Sequence, residues 1–458
     1  MIRHGTSKPH DLSIERLSLW PPLSKKERTV GERIPPTSRM MPYHVAMPPD
    51  DVSVTLAAGL APYQRTLASS LLQAGMLRRL FDFSPWRDIH IQEPDGEGSL
   101  KRIKRFPAYK FSTRAAWWIW RHLPGRVRLQ PPVAFNVWLA DRLMANWMAP
   151  SSIFHGCTAS CLVCLRTARQ LGAVTLVENA SRHPRQWKQI EVEECRLLGV
   201  DSRDGTGYSA ELLLRRRDRE FDTCDRIVVP STVACESFAE MGYADKTVVV
   251  LTGVDTNFYA PKPEVPNGTP RVKKEPPPMF RACYVGRVEP AKGLGYLLQA
   301  WKRLALPRAE LQLVGAVKPQ MESWLKNYAG IGVSLMGFLP PQEVAKRYRE
   351  SNLFVLPSPN EGLAQVLLEA MASGLPVVAT DMTGANDCME NGKEGFIVPA
   401  RDVDALADAI LWCYQHPDES RAMGLNARAR IESQFTLDHY NQRQIALYRS
   451  LAKMENPA

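Results

Sequence analysis

Short apolar runs, each followed by a stretch of helical length, recur along this chain in two successive sets, and no other feature restricts its fold so strongly. SSIFHG, AVTLVEN, DRIVVPS and TVVVL form the first set, between residues 151 and 251. ACYVGRV, ELQLVG, VSLMGFL, LFVLPS, PVVATD and GFIVP form the second, between 282 and 399. Such alternation predicts parallel βαβ units. Between the sets, KPEVPNGTPRVKKEPPP at 262–278 is proline-rich, charged and without apolar period, as a linker would be. At 458 residues the chain also exceeds the size at which single cores stop growing. Two α/β domains facing each other across a cleft are therefore expected. We place the boundaries at 1–48 (a disordered or non-native lead-in), 49–258 (first domain), 259–278 (linker) and 279–435 (second domain). A closing helix, 436–458, is expected to cross back to the first domain.

Upstream of the first set, DVSVTLAAG predicts a strand ending at Gly59, with a helix following in YQRTLASSLLQAGML. A glycine at that turn allows a ligand close to the backbone, and equally serves any tight βα turn. Nine cysteines, an odd number scattered along the chain, do not resemble a disulfide framework and fit a reducing cytoplasm. The i, i+4, i+7 spacing of Cys157, Cys161 and Cys164 predicts one helix face packed into the core instead of a metal site. No apolar run reaches eighteen residues, and the N-terminus lacks a signal-like apolar core.

The net charge of +10 is concentrated. Residues 101–130 hold nine Lys/Arg and no acidic group, interleaved with Phe106, Tyr109, Phe111, Trp117, Trp118 and Trp120. Basic groups attract anionic headgroups and amphipathic aromatics lodge at a membrane interface. A nucleic-acid surface uses the same residue types, and a solvated basic face beside core tryptophans is the plainer account. An anionic membrane surface is the partner expected here; nucleic acid is not.

The stretch most suggestive of chemistry is FVLPSPNEGLAQVLLEAMASG, 354–374: a buried strand, a polar turn carrying Glu361, then a helix carrying Glu369. A strand–loop–helix unit puts its loop at the carboxyl edge of the sheet, where ligands bind, and free amides at a helix start suit an anion. Without further support, Glu361 is a favourable charge near a helix start and Glu369 a solvated one.

Three longer blocks surround that stretch. YVGRVEPAKGLGYLLQA (284–300), GFLPPQEVAKRYRESNLFVLPSPNEGLAQVLLEAMASGLPVVAT (337–380) and TGANDCMENGKEGFIVPARDVDALADAI (383–410) closely resemble the retaining glycosyltransferases of family 4. DRIVVPSTVACESF and GVDTNFYAP resemble the end of that family's first domain and its hinge. The resemblance is strong over 225–435, fainter over 50–224 and absent from 1–45. It departs at Ala58 and Ala61, where the family often has a second glycine, and at Leu251 and Thr252 ahead of Gly253. It implies the GT-B fold, two facing Rossmann-like domains with a cleft between them.

The resemblance also implies roles. Arg287 and Lys292 would hold the donor diphosphate, as suits a leaving group that gains negative charge. Glu361 would touch sugar hydroxyls, Gly362 and Leu363 would offer amides to a phosphate, and Glu369 would hold the ribose hydroxyls. Gly59 would form the first domain's glycine loop, and His183, preferred over His155, would reach the donor sugar. Catalysis would then rest on Glu361, His183, Arg287 and Lys292. The implied reaction moves a hexose from a nucleotide-sugar to a saccharide or lipid-linked acceptor of cell-surface polysaccharide, with retention of configuration. No cofactor or metal is implied, since the two cations supply the charge and DVD at 402–404 suits a helix cap. The enzyme would be cytoplasmic and peripheral to the membrane. A nucleotide-sugar epimerase or a non-catalytic sugar-nucleotide scaffold on the same fold are the alternatives.

Overall fold

The computed structural model describes residues 52–58, 62–82, 103–105, 132–201, 211–261, 279–328 and 330–455. Residues 1–48, Gly59, the linker 262–278 and most of the basic–aromatic stretch lie outside these.

The first domain runs β1 (Val54–Ala58), α1 (Pro62–Gln73), β2 (Leu77–Asp82), β3 (Ile103–Arg105), α2 (Pro132–Asn146), β4 (Ile153–Cys157), α3 (Leu162–Gln170), β5 (Val174–Glu178), α4 (Pro184–Leu198), α5 (Glu211–Thr223), β6 (Arg226–Val229), α6 (Thr232–Ala239) and β7 (Thr247–Val249). Its seven strands pair in parallel in the order β3-β2-β1-β4-β5-β6-β7. The second runs β8 (Phe280–Val285), α7 (Leu294–Leu304), β9 (Ala309–Val314), α8 (Pro319–Leu325), β10 (Val333–Gly337), α9 (Pro341–Glu350), β11 (Leu353–Leu356), α10 (Gln365–Ala372), β12 (Val377–Thr380), α11 (Ala385–Cys388), β13 (Gly395–Val398), α12 (Val403–Gln415) and α13 (Pro417–Gln434). Its six strands are also parallel, in the order β10-β9-β8-β11-β12-β13.

LFVL of β11 and VVAT of β12 are buried at every position. That follows from helices on both faces of a parallel sheet, which turn alternating strands into continuous apolar ones. In both sheets the chain reverses its direction of growth once, between β1 and β4 and between β8 and β11. The crevice outside the strand ends at such a switch point is where ligands bind in open α/β sheets.

The closing helix α14 (Leu437–Glu455) packs on the first domain. Tyr440, Tyr448 and Leu451 join the apolar cluster of α1 and β1, with Tyr440 edge-on to Tyr63 at 5.0 Å. Two segments therefore cross between the domains, and they run side by side. The Val254 amide donates to the Phe435 carbonyl at 2.9 Å, and a Cβ at Gly253 would collide with the Thr436 carbonyl. Arg428 Nη1 gathers the carbonyls of Thr256, Tyr259 and Ala372 at 3.0, 2.8 and 2.6 Å, tying the hinge to the second domain.

The three clustered cysteines do not share a helix. β4 ends at Cys157, Cys161 precedes α3, and only Cys164 lies within it. Cys161 and Cys164 are buried core residues all the same. The helical spacing misleads because it spans a strand end and a turn. That turn is closed by buried acids: Glu220 accepts from the amides of Ala159 and Cys161, Asp141 from those of Val163 and Cys164. Both carboxylates face Arg216. Among the described residues no helix is long and apolar enough to cross a membrane.

Candidate active site

The switch point of the second sheet brings two loops together. One follows β8 and carries Arg287, Glu289 and Lys292; the other follows β11 and carries Glu361. Lys292 Nζ lies 2.5 Å from Glu361 Oε1, and each side chain is about 15% exposed. The Glu361 loop is fixed by its own backbone, since the amides of Glu361 and Ala364 donate to the carbonyls of Met382 and Thr383 at 3.2 Å. No described residue accepts from the amides of Gly362 or Leu363. Helix α10 starts only at Gln365, so these amides belong to the loop and precede the helix instead of forming its first turn. A partly buried ammonium beside free amides at a strand edge is suited to an anion.

Arg287 is half exposed, its Nη2 2.9 Å from Glu289 Oε1. Glu289 is fully buried and faces a second cation, Lys318, at 2.9 Å. Lys318 also reaches Glu191 of α4 in the first domain, at 3.3 Å. Burial alone would lower the Lys318 pKa, but the two carboxylates outweigh it and hold the ammonium above its usual range. Neither Lys318 nor Glu191 is picked out by sequence reasoning. The available signal was Lys318 three residues after the apolar run ELQLVG, just beyond a strand's carboxyl end.

Glu369 stands apart from the Lys292–Glu361 pair. It is partly buried within α10, and Tyr348 Oη donates to it at 3.1 Å. Burial raises its carboxyl to about 7, against the hydrogen bonds from Tyr348 and Tyr259. The sign is set by comparison with the unfolded chain, where a Glu titrates near ~4.3. A raised folded pKa gives stability that is fully present below that value and is lost as pH rises through about 7. Glu369→Gln should therefore gain up to about 3 kcal/mol over the native chain at pH 8 and nothing at pH 4. Urea midpoints at the two pH values check this; equal gains at both would contradict it.

His183 is not brought to the cleft. It caps α4, its Nδ1 accepting from the Arg185 amide at 3.4 Å, with Pro184 beginning the helix. Its fully buried ring lies 4.9–5.9 Å from those of Phe221, Phe238 and Tyr243. Burial lowers its pKa to about 4. The capping geometry sets the ring among Phe221, Phe238 and Tyr243 of the first domain. His155 is also buried, its Nδ1 2.6 Å from Tyr448 Oη. DVD at 402–404 is a helix cap, Asp402 accepting from the amides of Asp404 and Ala405 at 3.0 and 2.9 Å.

The backbone just before His183 does reach the cleft. A Cβ at Gly362 would lie 2.5 Å from the Ala180 carbonyl oxygen, 2.8 Å from Ser181 Cα and 2.9 Å from Pro230 Cγ, all in the first domain. Asp387 accepts from the amide and hydroxyl of Thr232 at 3.0 Å, and Asn360 Nδ2 donates to the Trp187 carbonyl at 3.3 Å. Arg401 pairs with Glu193 and Glu194 at 2.7 and 2.8 Å. The domains are thus in contact along α4 and across the Glu361 loop.

Both loops fall in a stretch with known relatives. Residues 280–416 match the family model Glycosyl transferases group 1. The chain is 32% identical over 178 residues to the amylovoran biosynthesis glycosyltransferase AmsK of Erwinia amylovora, covering 36% of this chain and 44% of AmsK. It is 28% identical over 268 residues to the lipopolysaccharide core biosynthesis mannosyltransferase LpsB of Rhizobium meliloti, covering 56% and 71%. The chain spans about half the length of most of the curated relatives it matches. Sucrose-phosphate synthase from Thermosynechococcus elongatus superimposes on 87% of the chain with a TM-score of 0.62, at 21% identity over 99% of its own length. The fold is GT-B, two Rossmann-like domains facing across a cleft.

Proposed function

We propose that this chain is a glycosyltransferase that moves a hexose from a nucleotide-sugar to a saccharide or glycolipid acceptor in cell-surface polysaccharide assembly. The observation that carries the reading is the Lys292–Glu361 pair beside the free amides of Gly362 and Leu363, at the switch point of the group 1 segment. In this reading the diphosphate takes the Lys292 ammonium, the two amides and Arg287, all on the second domain. Glu361, released from Lys292, accepts from sugar hydroxyls. Glu369 accepts from ribose hydroxyls, as a carboxylate can from two vicinal donors. Retention of configuration, independence of metal and a cytoplasmic setting belong to the proposal through the family resemblance. The biosynthetic roles named for AmsK and LpsB favour a polysaccharide or lipopolysaccharide acceptor.

The test is a panel of UDP- and GDP-hexoses with the full chain, following nucleotide release with and without an oligosaccharide-lipid acceptor. Acceptor-dependent release from one donor is expected. Donor isomerisation without acceptor would replace this reading with an epimerase. Tight donor binding without turnover would replace it with a binding scaffold.

The basic–aromatic stretch 101–130 adds an anionic membrane surface as the place where the acceptor is met. It includes the edge strand β3, paired with β2 at the outer end of the first sheet. Sedimentation with phosphatidylglycerol vesicles should be lost when Lys101, Arg102, Lys104 and Arg105 are all changed to Gln. Unchanged sedimentation would remove the stretch as an anchor.

A further inference from the structure

We propose that Lys318 is a positioning residue for the donor diphosphate, acting through Glu289 on Arg287, and that Glu191 makes this positioning depend on contact between the domains. The inference rests on the donor reading above.

Arg287 is half exposed, and among the described residues only Glu289 holds its guanidinium, at 2.9 Å. Glu289 is the carboxylate in direct ion-pair contact with Arg287, and Glu191 acts on it from farther away. Glu289 has no access to water, and facing cations offset the hydration a buried carboxylate loses. Arg287 cannot serve that need and a phosphate equally well. Lys318, at 2.9 Å from the other oxygen, supplies the standing countercharge. The two loops are joined by backbone as well: the Val288 amide donates to the Ala316 carbonyl at 2.9 Å, and the Lys318 amide to the Val288 carbonyl at 3.1 Å. Displacing Lys318 therefore displaces Glu289.

The second carboxylate on Lys318 comes from the other domain. Glu191 lies on α4, the helix whose next turn pairs Glu193 and Glu194 with Arg401. Lys318 and Glu191 are both little exposed, 11% and 13%, so their attraction is weakly screened. When α4 is docked, Lys318 is held between two acids and Glu289 stays aligned. When the domains part, Lys318 loses one of its two anchors. The cation that grips the diphosphate is thereby aligned most firmly while the first domain is in place to complete the cleft.

A simple weld between loops would leave nucleotide binding alone, whereas the proposed role couples Lys318 to Arg287. Calorimetric titration of UDP and of GDP into the full chain separates the two. For whichever nucleotide binds the native protein, Lys318→Met should weaken binding about tenfold and Lys318→Arg should largely restore it. In an Arg287→Ala background, Lys318→Met should cost nothing further. Glu191→Gln should weaken binding about threefold, again only while Arg287 is present; this arm stands if Lys318→Met fails to fold. Losses that simply add in the double variants, or native affinity in Lys318→Met, overturn the inference and leave the donor reading intact. A native chain that binds neither UDP nor GDP overturns the donor reading, and this inference with it.

Discussion

Lys292→Ala will lower kcat/KM for the nucleotide-sugar by about 100-fold or more, a loss of ~3 kcal/mol in transition-state stabilisation, in protein that is still folded at the assay temperature. As the glycosidic bond breaks, charge accumulates on the departing diphosphate, and an ammonium in a partly buried crevice opposes it far better than water does. That ammonium donates to Glu361 at 2.5 Å. The pair gives each side chain a partner, and an incoming diphosphate has to share the lysine. Removing Lys292 leaves Glu361 unpaired at about 15% exposure, so the variant also loses some stability, which thermal unfolding measures separately from the rate. Glu361→Ala should be similarly damaging, through the sugar. Because both residues act on one ligand, the double variant should lose much less than the sum of the two. A Lys292→Ala enzyme within about threefold of the native rate would remove the lysine from the donor site.

Gly362→Ala is the second large effect, and it has a different origin. Alanine keeps the amide that would face a phosphate, so the donor contacts on the second domain survive. The added methyl would stand 2.5 Å from the Ala180 carbonyl and 2.8 Å from Ser181 Cα, and neither backbone can yield alone. The strain is relieved by moving the domains apart at this edge. Misplacing reacting groups by about 1 Å costs about 100-fold in rate, and a loss of that order in kcat/KM is expected. Neither sheet's core is touched, so thermal unfolding should change little while the radius of gyration from small-angle scattering rises. Native kinetics in Gly362→Ala would show that the observed approach of the two domains is unnecessary for turnover.

Much of the architecture could be read from residue order alone. Continuous apolar runs of four to six residues separated by helical lengths leave a parallel sheet as the consistent answer, and the linker at 262–278 divides two of them. Glu361 was legible from its place in a loop after a strand, whereas Lys292 was legible only through the resemblance of GRVEPAKG to family 4. Adjacent strands at a switch point bring such loops together whatever their separation in sequence. His183 illustrates what local pattern leaves undetermined. A histidine followed by proline after a small-residue turn suits a ligand contact and a helix cap equally. Its orientation is decided by Phe221, Phe238 and Tyr243, residues 38 to 60 positions downstream. Lys318 and Glu191 were hidden for a related reason. Their pairing spans 127 positions and exists only through the docking of two domains, so neither neighbourhood carries a trace of it.

The return of α14 to the first domain also governs the order in which the molecule can be completed during synthesis. Tyr440, Tyr448 and Leu451 close the apolar cluster around α1 and β1. The buried His155 meets its partner hydroxyl only when Tyr448 arrives, 293 residues later. A ribosome that has released the whole second domain has still not released what seals the first. Until the final helix emerges, the earliest strands to leave the tunnel wait with one flank open to solvent. The second domain, whose cluster is drawn almost wholly from residues 282–435, can settle ahead of the domain that precedes it.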